Sequence, residues 1–234
     1  MSNKEQTPAV ISPQVDHFLM KVAATALPVK NPTKGRLVFA MDATASRQPT
    51  WDRACHLQGE MFSATDSLGG LTVQLCYYRG FNEFHSSGWC EQTSQLLSEM
   101  TSATCLGGHT QIRKVLAHLC RENNQQKIQA AVFVGDAIEE DVDELCQQAG
   151  NLGVLGIPLF MFHEGKNPRV SSVFKQMAQL SGGAYAPFDL DSASQLKNLL
   201  AAVAIYAAGG HKALRDFGKN ANPEVTRLLK QLKE

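Results

Sequence analysis

The chain has 234 residues, 44% of them hydrophobic and 19% charged, a composition that reads as globular and excludes a disordered chain. Its 22 basic and 22 acidic residues cancel to zero formal charge, which argues against nonspecific nucleic-acid binding, since that depends on neutralising phosphates. At this length a single fold buries enough surface to need no disulfide or metal staple.

In chain order, residues 1–34 read as an N-terminal helical extension. Val15, Phe18, Leu19 and Val22 fall at helical spacing, and the helix stops near Pro28. Residues 36–41 (RLVFAM) form an apolar run of strand length, and 51–63 reads as a helix. A second strand covers 71–78. Residues 81–89 alternate aromatic with polar side chains and predict an antiparallel edge strand. Helices are expected over 93–100 and 110–121, a buried strand over 128–134 (IQAAVFV) and a helix over 142–149. Strand 157–162 (IPLFMF), helix 170–180, a short strand at 184–188 and helix 193–208 complete the alternation. Apolar strands alternating with amphipathic helices predict a doubly wound α/β domain over 35–210. Its six-stranded sheet is mostly parallel, with one antiparallel edge strand and helices on both faces. Residues 211–234 read as a C-terminal helical tail, with a last helix from Pro223.

Cys55, Cys76, Cys90, Cys105, Cys120 and Cys146 contain no CxxC, which argues against a zinc ribbon or a thioredoxin-like pair. Free thiols in a reducing compartment are expected. The first twenty residues lack the layout of a signal peptide, and the apolar run 199–208 is too short to cross a bilayer. The expectation is a cytoplasmic protein without membrane insertion.

Ligands of open α/β sheets bind outside the carboxyl ends of the strands. The first strand leads into Asp42-Ala-Thr44-Ala-Ser46, the fourth ends in Val134-Gly135-Asp136, and Gly107-Gly108-His109-Thr110 enters a helix between them. Two carboxylates and three hydroxyls therefore converge on one rim, an all-oxygen set suited to a hard cation. The bland reading of Asp42, Thr44 and Ser46 is that they cap the following helix.

Taken together, D-x-T-x-S after strand one, a threonine after a glycine pair and an aspartate ending strand four resemble the metal-ion-dependent adhesion site of von Willebrand factor A (VWA) domains. The resemblance spans residues 34–210. It implies a Mg²⁺, or Mn²⁺ or Ca²⁺, held directly by Thr44, Ser46 and Thr110 and mainly through water by Asp42 and Asp136. One position stays open for an Asp or Glu of a partner protein. The family usually has serine at Thr44 and often glycine at Ala137. In this resemblance, intracellular bacterial members often work beside ATP-driven chaperones or in stress-response and metal-response gene clusters, which implies a chaperone-type ATPase as one partner class. The resemblance implies recognition and not catalysis. Two other readings stay open: a structural metal with function in the terminal helices, and a metal-assisted hydrolase.

Other motifs carry less. Thr44 stands where a haloacid dehalogenase-type phosphotransferase needs its second aspartate. Gly150, Gly153 and Gly156 do not match G-x-G-x-x-G, and no P-loop or G-x-S-x-G is present. His56 and His118 read as helix-face histidines, and His109 as a rim contact. His163-Glu164 follows strand five on the same rim, where it either lines the binding surface or, as the preferred reading, is a loop pair that contacts solvent. The acidic run Glu139-Glu140-Asp141 with Asp143 and Glu144 reads as complementing the dipole of the helix it opens. Trp51 is either an interface aromatic near the rim or core packing.

Overall fold

A computed structural model describes residues 34–188, 193–219 and 223–232. The helix expected around Val15 and Val22 lies outside the described residues. Six strands form one sheet: β1 (Gly35–Asp42), β2 (Leu71–Arg79), β3 (Glu83–Cys90), β4 (Ala130–Gly135), β5 (Leu159–Glu164) and β6 (Tyr185–Phe188). The sheet order is β3-β2-β1-β4-β5-β6. Every pairing is parallel except β2 with β3, so the edge strand read from its aromatic–polar alternation is antiparallel as expected.

The helices are α1 (Gln48–Leu57), α2 (Gly59–Ser63), α3 (Thr93–Ser102), α4 (Ile112–Gln125), α5 (Val142–Val154), α6 (Pro168–Ser181), α7 (Ala193–Gly218) and α8 (Pro223–Leu229). Successive strand residues point to opposite faces, and β1 divides accordingly. Leu37, Phe39 and Met41 pack beneath α1, α2, α3 and α7, while Val38 and Ala40 face α4, α5 and α6. A strand buried on both faces cannot alternate with polar residues, which is why β1 and β4 read as continuous apolar runs.

Residues beyond 210 share this packing. Gly210, at φ 69°, interrupts α7, and Leu214, Val225, Leu228 and Leu232 are buried in the first-face core. The outer edge of β6 is closed by side chains: Gln231 Oε1 accepts from Tyr185 N–H at 2.9 Å, and its Nε2 donates to Tyr185 O at 2.9 Å. Gln195 Nε2 donates to Pro187 O at 3.1 Å. Among the described residues, no helix is long and apolar enough to cross a membrane.

The strand order places the candidate rim. The chain leaves β1 toward β2 on one side, while β4 lies on the other, so the loops after β1 and β4 diverge and open a crevice at the sheet's switch point. Asp42 ends β1, and Asp136 immediately follows β4.

Candidate metal centre

Asp42 is 1% exposed. Its Oδ1 accepts the Thr44 backbone N–H at 2.7 Å, a local turn that swings the chain out of the sheet. Its Oδ2 accepts the Tyr78 hydroxyl at 3.1 Å. Burial pushes the Asp42 carboxyl above its ordinary range. The bonds from Thr44 oppose this, the nearby Asp136 charge adds to it, and the Tyr78 bond opposes it. The same burial, with Asp42 alongside, drives the Tyr78 phenol well above its ordinary value, so it remains a donor.

After Asp42 the chain makes a short 3₁₀ turn, Ala45–Arg47, and enters α1. Thr44 Oγ1 and Ser46 Oγ face each other at 3.5 Å, and Ser46 is exposed. At the helix-cap positions of the turn and of α1, Thr44 and Arg47, no side-chain cap bond forms. The capping explanation of the D-x-T-x-S segment therefore covers only Asp42, whose bond closes the turn.

Thr110 arrives on the loop between α3 and α4. Leu106 N–H donates to Ala43 O at 3.0 Å, which lays that loop against the end of β1. His109 N–H donates to Gly80 O at 3.1 Å, and Gln111 Nε2 donates to Arg79 O and Gly80 O at 3.1 and 3.2 Å. The approach is so close that a Cβ on Gly108 would lie 1.8 Å from Gly80 O, so only glycine fits. Thr110 and Glu139 then bond reciprocally. Thr110 N–H donates to Glu139 Oε2 at 2.8 Å, and Glu139 N–H donates to Thr110 Oγ1 at 2.9 Å. His109 Nδ1 lies 3.2 Å from the same Glu139 oxygen.

The acidic run acts only in part as its sequence position implied, with Asp143 and Glu144 in the first turn of α5. Asp141 does cap α5, accepting from Glu144 N–H at 2.9 Å. Glu140 instead reaches across to α4, where its carboxylate accepts the N–H groups of Ile112 and Arg113 at 2.7 and 2.8 Å. Since Gln111 supplies no side-chain cap, Glu140 satisfies the orphan donors of that helix from another loop.

Asp136 is held by a residue the sequence did not single out. Arg47 Nη2 pairs with Asp136 Oδ2 at 2.9 Å, its Nη1 pairs with Glu164, and its Nε lies 3.5 Å from Ser46 Oγ. Thr50 Oγ1 also donates to Glu164. His163 and Glu164 are not a solvent-facing loop pair: both belong to β5, at 0% and 8% exposure. His163 Nδ1 lies 3.0 Å from Ser171 Oγ and 3.2 Å from Tyr185 Oη, while its Nε2 is buried without a partner. Burial lowers the His163 pKa, which keeps the ring neutral at neutral pH.

Trp51 is core: its Nε1–H donates to Met100 O at 2.9 Å, and it meets Tyr77 edge to face. Beside it a groove of about 740 Å³ runs between α1 and α3, and none of the five candidate residues lines it. His118 is buried against Gln74 Oε1 at 2.9 Å, and His56 is exposed. All six cysteines are free.

The structure thus brings Asp42, Thr44 and Ser46 into one turn, joins Asp136 to that turn through Arg47, and fastens Thr110 to the loop after β4 through Glu139. No group of three or more His, Cys, Asp or Glu suited to a metal occurs among the described residues. The donor set fits a hard divalent ion. It is all oxygen, Asp42 is buried where the Asp136 charge reaches it, and Thr44 and Ser46 are not consumed by helix capping.

No protein-family model matches the chain, and no curated protein matches it. Solved structures do. The VWA domain of SpRpn10 superposes with a TM-score of 0.54 at 14% identity, covering 70% of this chain and 95% of that one. Proximal thread matrix protein 1 from the mussel byssus, in a structure with a zinc-occupied MIDAS motif, gives 0.55 at 11% identity over 72% of this chain and 45% of its own. The chain therefore matches less than half of the mussel protein. The vWF domain of the type V pili tip protein Mfa5 from Porphyromonas gingivalis gives 0.52 at 10% identity, over 73% and 95%. With its 3-2-1-4-5-6 sheet and single antiparallel edge strand, the chain has the von Willebrand factor A fold.

Proposed function

We propose that the chain is a metal-dependent protein–protein recognition module. In this reading Thr44, Ser46 and Thr110 offer hydroxyls to a Mg²⁺-type cation, and Asp42 and Asp136 hold it mainly through water. The observation that carries the reading is Asp42. Its buried carboxylate sits at the switch point of the sheet beside two hydroxyls that cap no helix, and the Asp136 charge reaches it. When bound, the cation would supply an electropositive open position for the Asp or Glu of a partner protein.

The surroundings favour binding over turnover. Thr44 and Ser46 face each other, and the carboxylate beside Thr44, Asp42, is already engaged by the Thr44 N–H and the Tyr78 hydroxyl. The Ser171–His163 contact nearby is shared with the Tyr185 hydroxyl in a buried network. The rim also carries a braced apolar surface. Phe81 is 76% exposed, its ring lies edge-on to His109 at 5.2 Å, and the exposed Leu106 sits on the loop that leads to Thr110. A fixed aromatic beside a charged centre costs little entropy to engage. Six free thiols accord with a cytoplasmic setting, where a chaperone-type ATPase is the first partner class to test.

Calorimetric titration of Mg²⁺ and Mn²⁺ into the wild type and Asp42→Ala, with and without a pool of Asp- and Glu-containing peptides, tests the reading. Binding that is lost in the variant and strengthened by the peptides is expected. A metal that raises the melting temperature without gaining from the peptides would instead support a structural ion, with function in the terminal helices.

A further inference from the structure

We propose that Arg47 is the resident cation of this rim, and that a divalent ion binds by exchange, displacing the Arg47 guanidinium from Asp136 while Glu164 retains it. The inference rests on the metal reading above and adds a residue that sets how tightly, and at what cation concentration, the site fills.

Arg47 bridges two carboxylates from different strand ends, Asp136 after β4 and Glu164 at the end of β5. A planar guanidinium can serve both at once because its donors form a fork, which a lysine ammonium cannot reproduce. The side chain is nearly buried, so its attraction for Asp136 is only weakly screened by salt. Its Nε also lies 3.5 Å from the hydroxyl of Ser46. Arg47 therefore touches two of the five residues assigned to the metal, Ser46 and Asp136, and compensates the carboxylate that a divalent ion would use.

The other half of the contact makes exchange feasible. Glu164 is buried, and its carboxylate accepts from both Arg47 and Thr50. When Asp136 turns to an incoming ion, Arg47 keeps Glu164, so no buried charge is left bare. The short turn Ala45–Arg47 carries Ser46 and Arg47 on consecutive residues, so filling the site and releasing Asp136 involve the same turn.

The test is a Mn²⁺ titration, followed by the electron paramagnetic resonance signal of the free ion, on the full chain and three variants. Arg47→Met combined with Glu164→Gln removes both charges and strands neither. It is expected to bind Mn²⁺ at least about tenfold more tightly than wild type. Arg47→Lys retains the charge but loses the fork, and is expected to tighten binding by about threefold. It decides the matter alone if the double variant does not fold by circular dichroism. Arg113→Gln removes a cation that pairs with Glu144 and not with Asp136, and should leave the affinity within about twofold. Unchanged or weaker binding in the Arg47 variants overturns the proposal, as does equal tightening by Arg113→Gln. A wild type that fails to bind while the double variant binds supports exchange and removes the recognition reading for the resting protein. No binding by any form overturns both.

Discussion

Gly107 and Gly108 are neighbours in sequence, yet alanine at each should behave oppositely. At Gly107 an added Cβ meets nothing within 4 Å. At Gly108 it would lie 1.8 Å from the carbonyl oxygen of Gly80, where separations under 3.0 Å essentially never occur, so the two loops must part by at least about 1.2 Å. That movement stretches the His109 N–H bond to Gly80 O from 3.1 Å beyond hydrogen-bond range, and the 3.4 Å bond from Gly80 N–H to Leu106 O fails with it. Two lost bonds at about 1 kcal/mol each, plus about 1–3 kcal/mol for overpacking, give a destabilisation of about 3–5 kcal/mol. For a domain of this size that lowers Tm by roughly 6–20 °C, while Gly107→Ala stays within about 0.5 kcal/mol of wild type. Urea denaturation and thermal melts of both variants read the difference. Because Thr110 lies two residues on, Gly108→Ala should also weaken Mn²⁺ binding. Equal stabilities for the two variants would refute the close approach of these loops, and with it the bracing of Thr110.

Three further expectations are independent of that one. Glu140→Ala leaves the N–H groups of Ile112 and Arg113 without their acceptor and should cost about 1–2 kcal/mol in urea midpoints, as a lost helix cap does; an unchanged midpoint would remove the cross-loop cap. Asp42→Asn should leave the metal-free protein at least as stable as wild type at pH 7, because it replaces with a neutral group a carboxylate that burial and the Asp136 charge disfavour. The same change should abolish the rise in Tm produced by Mg²⁺, and a variant still stabilised by the ion would exclude Asp42 as a ligand. Finally, burial holds the folded-state pKa values of His118 and His163 below the ordinary value of about 6.5, so the unfolded chain takes up those protons first. Their contribution is present at pH 7.5 and declines as pH falls through about 6.5, by up to about 1.4 kcal/mol per pH unit for each histidine. Stability that stays flat or rises between pH 7.5 and 5.5 would contradict it.

What the sequence made legible follows the range over which each interaction acts. Runs such as 36–41 and 128–134 announce strands because burial on both faces leaves no polar position, and D-x-T-x-S stands at a strand end where ligands gather. Arg47 was invisible for the opposite reason. After Ser46 it reads as one more polar residue entering a helix, and its partners lie 89 and 117 positions away. Glu139 and Glu140 were misread because local charge explains them adequately on α5, whereas the loops bring them to Thr110 and α4. Tyr78 carries no signal in sequence beyond its place at the end of the strand predicted over 71–78, and only the register that pairs it with Asp42 turns its hydroxyl into a carboxylate's partner. His163 and Glu164 end an apolar run, where polarity suggests a loop; their burial depends on partners from α1, α6 and β6.

The closure of β6 bears on how the protein behaves in company. An open sheet edge is a template for another strand, and copies of a chain can add to it without limit. Here Gln231 occupies both backbone groups of Tyr185, Pro187 has no N–H to offer, and Gln195 takes its carbonyl. A chain cut after Gly210 would keep every strand and all five rim residues, yet it would leave that edge free of Gln231 and strip Leu214, Val225, Leu228 and Leu232 from the core. Gln231 and these four apolar residues are therefore expected to guard against polymerisation, and a shortened form should be recovered as insoluble aggregates while the full chain remains dispersed.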